Sequence, residues 1–315
     1  MLTVSNLSKR YGNVLALQNV SFHIDGQESA AVFGMAGSGK STLASLLSGF
    51  LECSPGQIRI GGYDMGKATE KARGLIGYLP EGNPLYGDMS VYEYLEFICS
   101  LYKVALKKRR AQISWAMECC EIAEHRHTPI RELSSLNARR AGIAGAIVFS
   151  PPFLLFDRPS FALRAEDASK VRALISSLRK AFTLLLLTDS LSDVTDLCSH
   201  VIVLNRGQVV SDSTLSMLEA MAGQSNRLKL RVAGAPSELR ALFSMLPGVL
   251  DVGFERTFEA GTLDVLLEVQ RGMDIRRDIW QLALKAHLPI LEMRSISVSL
   301  EDIFLQLTGS GGGGA

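Results

Sequence analysis

The segment Gly34-Met35-Ala36-Gly37-Ser38-Gly39-Lys40-Ser41 follows the apolar run Ala30–Phe33 and precedes a stretch of helical character. Glycines at this density let a backbone curl until successive N–H groups converge on one anion. A lysine in the same turn adds a point charge suited to the outer phosphates of a polyphosphate. The Ser41 hydroxyl suits Mg²⁺, and a helix opening at Lys40 adds the partial positive charge of its N-terminus. Gly34 through Ser41, together with Thr42, are the predicted nucleotide contacts of this loop. A glycine-rich turn arising by chance would lack the strand before it and the helix after it. A second group is Phe153-Leu154-Leu155-Phe156-Asp157, a carboxylate closing four apolar residues. Such a residue stands at the carboxyl edge of a parallel sheet, beside a phosphate loop. Asp157 is therefore expected to support Mg²⁺, directly or through the shell around it. An aspartate at a strand end is often only a helix cap; its pairing with Lys40-Ser41 favours the metal role.

These groups need a sheet to position them. Strands are expected over Leu2–Leu7, Gln18–Ile24, Ser29–Phe33, Gly56–Ile60 and Leu75–Leu79, with a helix from Lys40. Helices are expected over Val91–Tyr102, Lys107–Glu124 and Leu136–Phe149, from apolar residues at helical spacing. Phe153–Phe156, Leu184–Leu187 and Val201–Leu204 are continuous apolar runs, the mark of strands buried on both faces of a mostly parallel sheet. The composition changes after Ser211, and Asp212–Asn226 reads as a helix and a connector. Beyond it come a strand (Leu228–Val232), a helix (Pro236–Met245), two strands (Val249–Glu255 and Leu263–Val269), a helix (Asp274–Ala286) and a last strand (Ile290–Ile296). That β-α-β-β-α-β order is ferredoxin-like. A short helix, Leu300–Leu307, should close it, N-capped by Ser299 with Asp302 in its first turn. The fold class is thus α/β, a P-loop NTPase domain over 1–222, then a small α+β domain over 227–308 and a flexible glycine-rich tail over 309–315.

Composition removes several alternatives. The 315 residues carry 33 Lys plus Arg against 32 Asp plus Glu, a net charge of +1, which argues against nucleic acid as a partner. The five cysteines are scattered without metal-ligand spacing and read as free thiols. No apolar run approaches the ~20 residues of a membrane span; if the protein works at a membrane, another chain provides the spans. His125 and His127 sit among charges and read as surface residues rather than ligands.

On its motifs the chain resembles the ABC transporter ATPases, in particular the subgroup paired with type 2 permeases. The likeness begins at Leu7-Ser8-Lys9-Arg10-Tyr11, whose aromatic would stack on adenine. Gly77-Tyr78-Leu79-Pro80-Glu81 is similar to the loop whose last residue contacts Mg²⁺ and faces the membrane subunit, so Glu81 joins Ser41 and Asp157 as an expected metal group. Residues 82–93 are similar to the permease-facing stretch, and residues 299–308 to the end of the subgroup's accessory domain. The resemblance implies ATP and Mg²⁺ as cofactors and head-to-tail pairing with a second nucleotide-binding subunit. It also implies docking on membrane permease subunits, hence a cytoplasmic, peripheral location.

The hydrolytic residues of the family are replaced. Its signature aligns with Leu133-Ser134-Ser135-Leu136-Asn137, where Leu136 stands in place of a glycine that must let the backbone approach a phosphate. The general-base glutamate is Arg158, the switch histidine is Asp189, and the aspartate of the following loop is Arg164. An arginine cannot accept a proton. No catalytic residue is therefore expected. Arg158 and Asp189, opposite charges at adjoining strand ends, would pair in a sealed site. The chain is expected to bind ATP·Mg²⁺, to hydrolyse little of it alone, and to pair with a more intact ATPase or with a second copy of itself. An active ATPase using Glu81 or Glu166 as base, or a regulator without a permease, are the alternatives.

Overall fold

The structure, a computed structural model, describes residues 1–223, 226–256, 259, 261–270, 273–296, 303, 304 and 307. Its described residues divide into two compact units, one over Met1–Leu215 and one within Ser216–Gln306. In chain order the first unit contains β1 (Leu2–Tyr11), β2 (Val14–Ile24), β3 (Ser29–Phe33), α1 (Lys40–Leu47), β4 (Ile58–Ile60), β5 (Tyr63–Asp64), α2 (Thr69–Arg73) and β6 (Ile76–Leu79). It continues with α3 (Val91–Leu101), α4 (Leu106–Cys119), α5 (Ser135–Ile147), β7 (Phe153–Asp157), α6 (Ala165–Leu178), β8 (Thr183–Thr188), α7 (Leu191–Leu197), β9 (His200–Asn205) and β10 (Gln208–Thr214). Then follow α8 (Leu215–Gly223), β11 (Asn226–Ala233), α9 (Pro236–Phe243), β12 (Val249–Arg256), β13 (Thr262–Val269), α10 (Arg276–Lys285) and β14 (Ile290–Ile296).

The first unit is built on a six-stranded sheet of order β10-β9-β3-β8-β7-β6. The five strands from β9 to β6 are parallel, and only the edge strand β10 runs antiparallel. A second sheet, β2-β1-β4-β5, is antiparallel. Every residue of β3, β7 and β8 is buried, as their apolar runs demand. Their parallel course has one consequence for chemistry. The carboxyl ends of β3, β6, β7 and β8 emerge along one edge, with Phe33 beside Thr188, Asp157 beside Leu187 and Leu79 beside Phe156. The loops beginning at Gly34, Pro80, Arg158 and Asp189 therefore meet there.

Two expectations are corrected in this unit. The helix expected over Lys107–Glu124 stops at Cys119. Glu121 adopts a left-handed φ of 51°, the Cys120 N–H returns to Ala116 O at 3.1 Å, and the Ile122 N–H reaches Met117 O at 2.9 Å. This is a Schellman-type stop, with a glutamate in place of the usual glycine. A 3₁₀ turn, Ala123–His125, follows it. Asp212–Thr214 belongs to β10 rather than to a helix; its alternating exposure is that of an edge strand hydrogen-bonded to β9 on one side.

After α8, the second unit has the element order β-α-β-β-α-β, and its antiparallel sheet runs β12-β13-β11-β14. Its core gathers Leu230, Val232, Leu239, Phe243, Val265, Leu267 and Ile279. On the other face of β11 and β13, Arg231 and Asp264 stand directly opposite each other and bond through Nε to Oδ1 at 2.9 Å. Ile303 and Phe304, on the apolar face expected of the closing helix, are buried. Ser299, Leu300, Asp302 and the tail from 308 to 315 lie outside the described residues. Among the described residues no helix is long and apolar enough to cross a membrane.

Candidate functional site

The phosphate loop runs from the end of β3 into α1. Gly39 caps the helix at φ 106°, a left-handed conformation that favours glycine. At Gly34 a Cβ would lie 2.4 Å from Ser38 Oγ and 2.5 Å from Leu204 O, so any side chain would force the loop open. The loop is gripped from outside by the Arg206-Gly207 turn between β9 and β10. The Gly207 N–H donates to Ser38 O at 2.8 Å, and Gly207 O accepts from the Gln18 N–H at 2.8 Å. Lys40 is buried and folds back over the loop, donating to Gly34 O at 2.5 Å and Met35 O at 3.0 Å. Burial pushes its pKa down, and the Asp189 carboxylate opposes that.

A cavity of about 540 Å³ opens over this loop. Of the predicted contacts, Ala36, Gly37, Ser38, Gly39, Lys40, Ser41, Thr42 and Glu81 line it. Gly34 and Met35 act from beneath, through their carbonyls on Lys40. Asp157 is buried at the end of β7, close enough for its charge to act on Lys40. Tyr11 closes β1 opposite Val14 and is 47 % exposed; the lining brings in Val14, Leu15, Ala16 and Arg206 instead. Sequence reasoning missed those four, and only the turn glycine at Gly207 hinted at a close approach. Among the described residues no three His, Cys, Asp or Glu converge into a metal cage. Ser41, Glu81 and Asp157 are instead hard oxygen donors, the kind that hold Mg²⁺ together with a ligand's phosphates.

Within the same lining, three loops converge on one arginine. Arg158 follows β7 in a left-handed conformation, φ 47°, with its N–H bonded to Leu187 O at 2.8 Å. Its Nε donates to Asp189 Oδ1 at 3.2 Å, its Nη2 lies 2.9 Å from Asp189 Oδ2, and its Nη1 donates to Glu81 Oε1 at 2.5 Å. The guanidinium also lies 4.0 Å above the Phe161 ring. The pairing of Arg158 with Asp189 is present, and Glu81 extends it beyond what the sequence suggested. Asp157 responds to this crowd of charge. Burial first, and then the Glu81 carboxylate, push its pKa up to about 6 against the pull of Lys40 and Arg158.

Two buried residues hold these loops in place. Arg139 of α5 donates from Nη1 to Glu81 O at 3.3 Å and from Nη2 to Phe161 O at 3.1 Å. Asp193 of α7 accepts from Ser160 Oγ at 2.8 Å and Thr188 Oγ1 at 3.0 Å, which ties the loop after β7 to the end of β8. Other expected participants stand apart. Glu166 is exposed on α6, paired with Lys170 at 2.6 Å, and does not line the cavity. Arg164 is exposed and pairs with Asp167. Ser134 caps α5 through the Asn137 N–H at 3.3 Å. The Asn137 amide lies 2.8 Å from His125 Nε2, so His125 braces this segment rather than merely facing solvent.

Comparison with known proteins agrees with this geometry. Residues 17–160 match the family described as ABC transporter. The chain is 26 % identical over 313 residues to the linearmycin resistance ATP-binding protein LnrL of Bacillus subtilis, with 98 % of each chain covered. It is 27 % identical over 315 residues to the daunorubicin resistance ATP-binding protein DrrA3 of Streptomyces coeruleorubidus, covering 98 % of this chain and 96 % of that one. Among solved structures, cbiO1 from Clostridium perfringens, part of the ABC transporter complex cbiONQ, superposes with a TM-score of 0.63 at 27 % identity, over 70 % of this chain and 90 % of that one. A dimeric ATP-binding cassette in a post-hydrolysis state bound to ADP and Pi shares the fold, with a TM-score of 0.62 at 23 % identity over 68 % of this chain and 99 % of that one. With its phosphate loop on a five-strand parallel core, the chain has the fold of an ATP-binding cassette, matches the ABC transporter family over residues 17–160, and is similar over nearly its whole length to ABC transporter ATP-binding proteins.

Proposed function

We propose that this chain holds ATP·Mg²⁺ in the cavity over Lys40 and hydrolyses little of it alone. In this reading it drives or regulates a separate membrane permease from the cytoplasmic face, as one of a pair of nucleotide-binding subunits whose other member is a more intact ATPase. Lys40 gives up its bonds to the loop carbonyls in favour of the outer phosphates. Ser41, Glu81 and Asp157 hold Mg²⁺, which when bound neutralises charge on the outer phosphate oxygens. The likeness to two resistance ATP-binding proteins supports an exporter-type permease, and the cargo is chosen by the membrane chain.

One observation carries the weak hydrolysis: Arg158 lines the cavity and its guanidinium engages both carboxylates of that lining, Glu81 and Asp189. A general base contributes ~10²–10⁴ in rate, and a carboxylate bonded to a guanidinium is a poor one. The test is direct. The purified chain should bind ATP with Mg²⁺ and turn it over near background, and Lys40→Ala should abolish binding. Arg158→Glu combined with Asp189→His should raise turnover by about tenfold or more. Robust turnover by the unmodified chain alone refutes the reading. A second reading, Glu81 as the base of an active ATPase, has in its favour that Glu81 lines the cavity. It requires Glu81→Gln to remove measurable activity.

A further inference from the structure

We infer that Arg158 is the residue that tells a nucleoside triphosphate from a diphosphate, by passing from the Asp189 carboxylate to the terminal phosphate. This rests on the reading of the cavity as a nucleotide site. Three observations lead to it. Arg158 and Lys40 line the same cavity, and their charges act on each other, so the guanidinium stands on the side where the outer phosphates must lie. Arg158 is held by partners that can be exchanged. The pairs to Glu81 and Asp189 are partly exposed, with the guanidinium 26 % accessible and the carboxylates 32 % and 30 %. The guanidinium is thus reachable from the cavity, and a multiply charged phosphate that offers it a second bidentate partner competes with the carboxylates for it. Finally, Nε, Nη1 and Nη2 each face a carboxylate, which leaves the second N–H of each Nη for another acceptor.

The exchange follows from charge. Without nucleotide, Glu81 and Asp189 neutralise Arg158. With a triphosphate and Mg²⁺, Glu81 turns to the cation, and the guanidinium fork takes two oxygens of the terminal phosphate. Asp189, now facing an anion without its partner, is repelled, and the loop after β8 shifts. A diphosphate reaches Lys40 but not Arg158, so the resting pairs survive. Arg158 is thus a ligand for the phosphate group and not a proton acceptor.

Calorimetric titration of the full chain with Mg²⁺ and either a non-hydrolysable ATP analogue or ADP tests this. In the unmodified chain the triphosphate should bind more tightly than ADP. Arg158→Ala should weaken the triphosphate by about 10- to 100-fold and leave ADP within about twofold. Arg158→Lys should fall between the two, because it keeps the charge but not the fork. Asp189→Asn should tighten the triphosphate selectively. Retained ADP binding shows that each variant is folded. Equal loss of both nucleotides in Arg158→Ala, or no loss of either, overturns the inference and leaves the nucleotide reading intact. An unmodified chain that binds neither nucleotide overturns both.

Discussion

Asp157 is in a costly position. It is 5 % exposed, at the end of a wholly buried strand, with Glu81 and Asp189 nearby. Its pKa stands at about 6 against an ordinary 3.8, so the unfolded chain gives up this proton first. Stability must then fall as pH rises from about 3.8 to about 6 and stay at the lower level above that. Asp157→Asn removes the penalty. The variant is expected to match the unmodified nucleotide-free chain near pH 4 and to exceed it by about 1–3 kcal/mol at pH 7, measured by urea unfolding. A stability difference that stays flat across this window would contradict the account. The same variant should lose the Mg²⁺-dependent part of its ATP affinity.

At the scale of elements, the contact of β6 with α5 sets where Glu81 stands. Gly77 lies so close to that helix that a Cβ would sit 2.1 Å from Ala146 O and 2.7 Å from Leu154 Cδ2. Backbone cannot step aside as a flexible side chain can. Gly77→Ala should therefore cost about 3 kcal/mol, seen as a lower denaturation midpoint, and should displace Glu81 from Arg158. Much of this architecture was legible in the residues. Leu184–Leu187 and Val201–Leu204 could only be buried strands, and Gly34–Ser41 could only be a phosphate loop once a strand and a helix flanked it. Other parts were not legible. Ala165–Leu178 gave no expectation although Val171, Leu174, Ile175 and Leu178 form a buried helical face, because charged neighbours dilute a narrow stripe. The break after Cys119 was hidden because a glutamate, not a glycine, takes the left-handed turn. Glu81 and Arg158 are 77 residues apart in sequence, and only the parallel register brings their loops together. The alignment of motifs suggested Arg158 with Asp189; nothing in it pointed to Arg139, Asp193 or Arg206.

At the scale of the molecule, ligand binding must appear as stability. A site that holds nucleotide in the folded state only adds about 2.7 kcal/mol at a concentration of 100 Kd. For a cassette of this size that corresponds to a rise in Tm of about 5–10 °C. Calorimetry should find that rise with ATP and Mg²⁺, and its absence in Lys40→Ala. The chain contains two compact units, so its thermogram need not be one transition. Finally, the turn at Gly207, bonded at once to Ser38 and to Gln18, has a kinetic meaning. A seat moulded before its guest arrives loses little freedom when filled. Uptake of a diphosphate, which leaves the Arg158 pairs in place, should then be governed by how often nucleotide and cassette collide, with the observed rate climbing in proportion to its concentration rather than levelling off at the pace of a slow rearrangement.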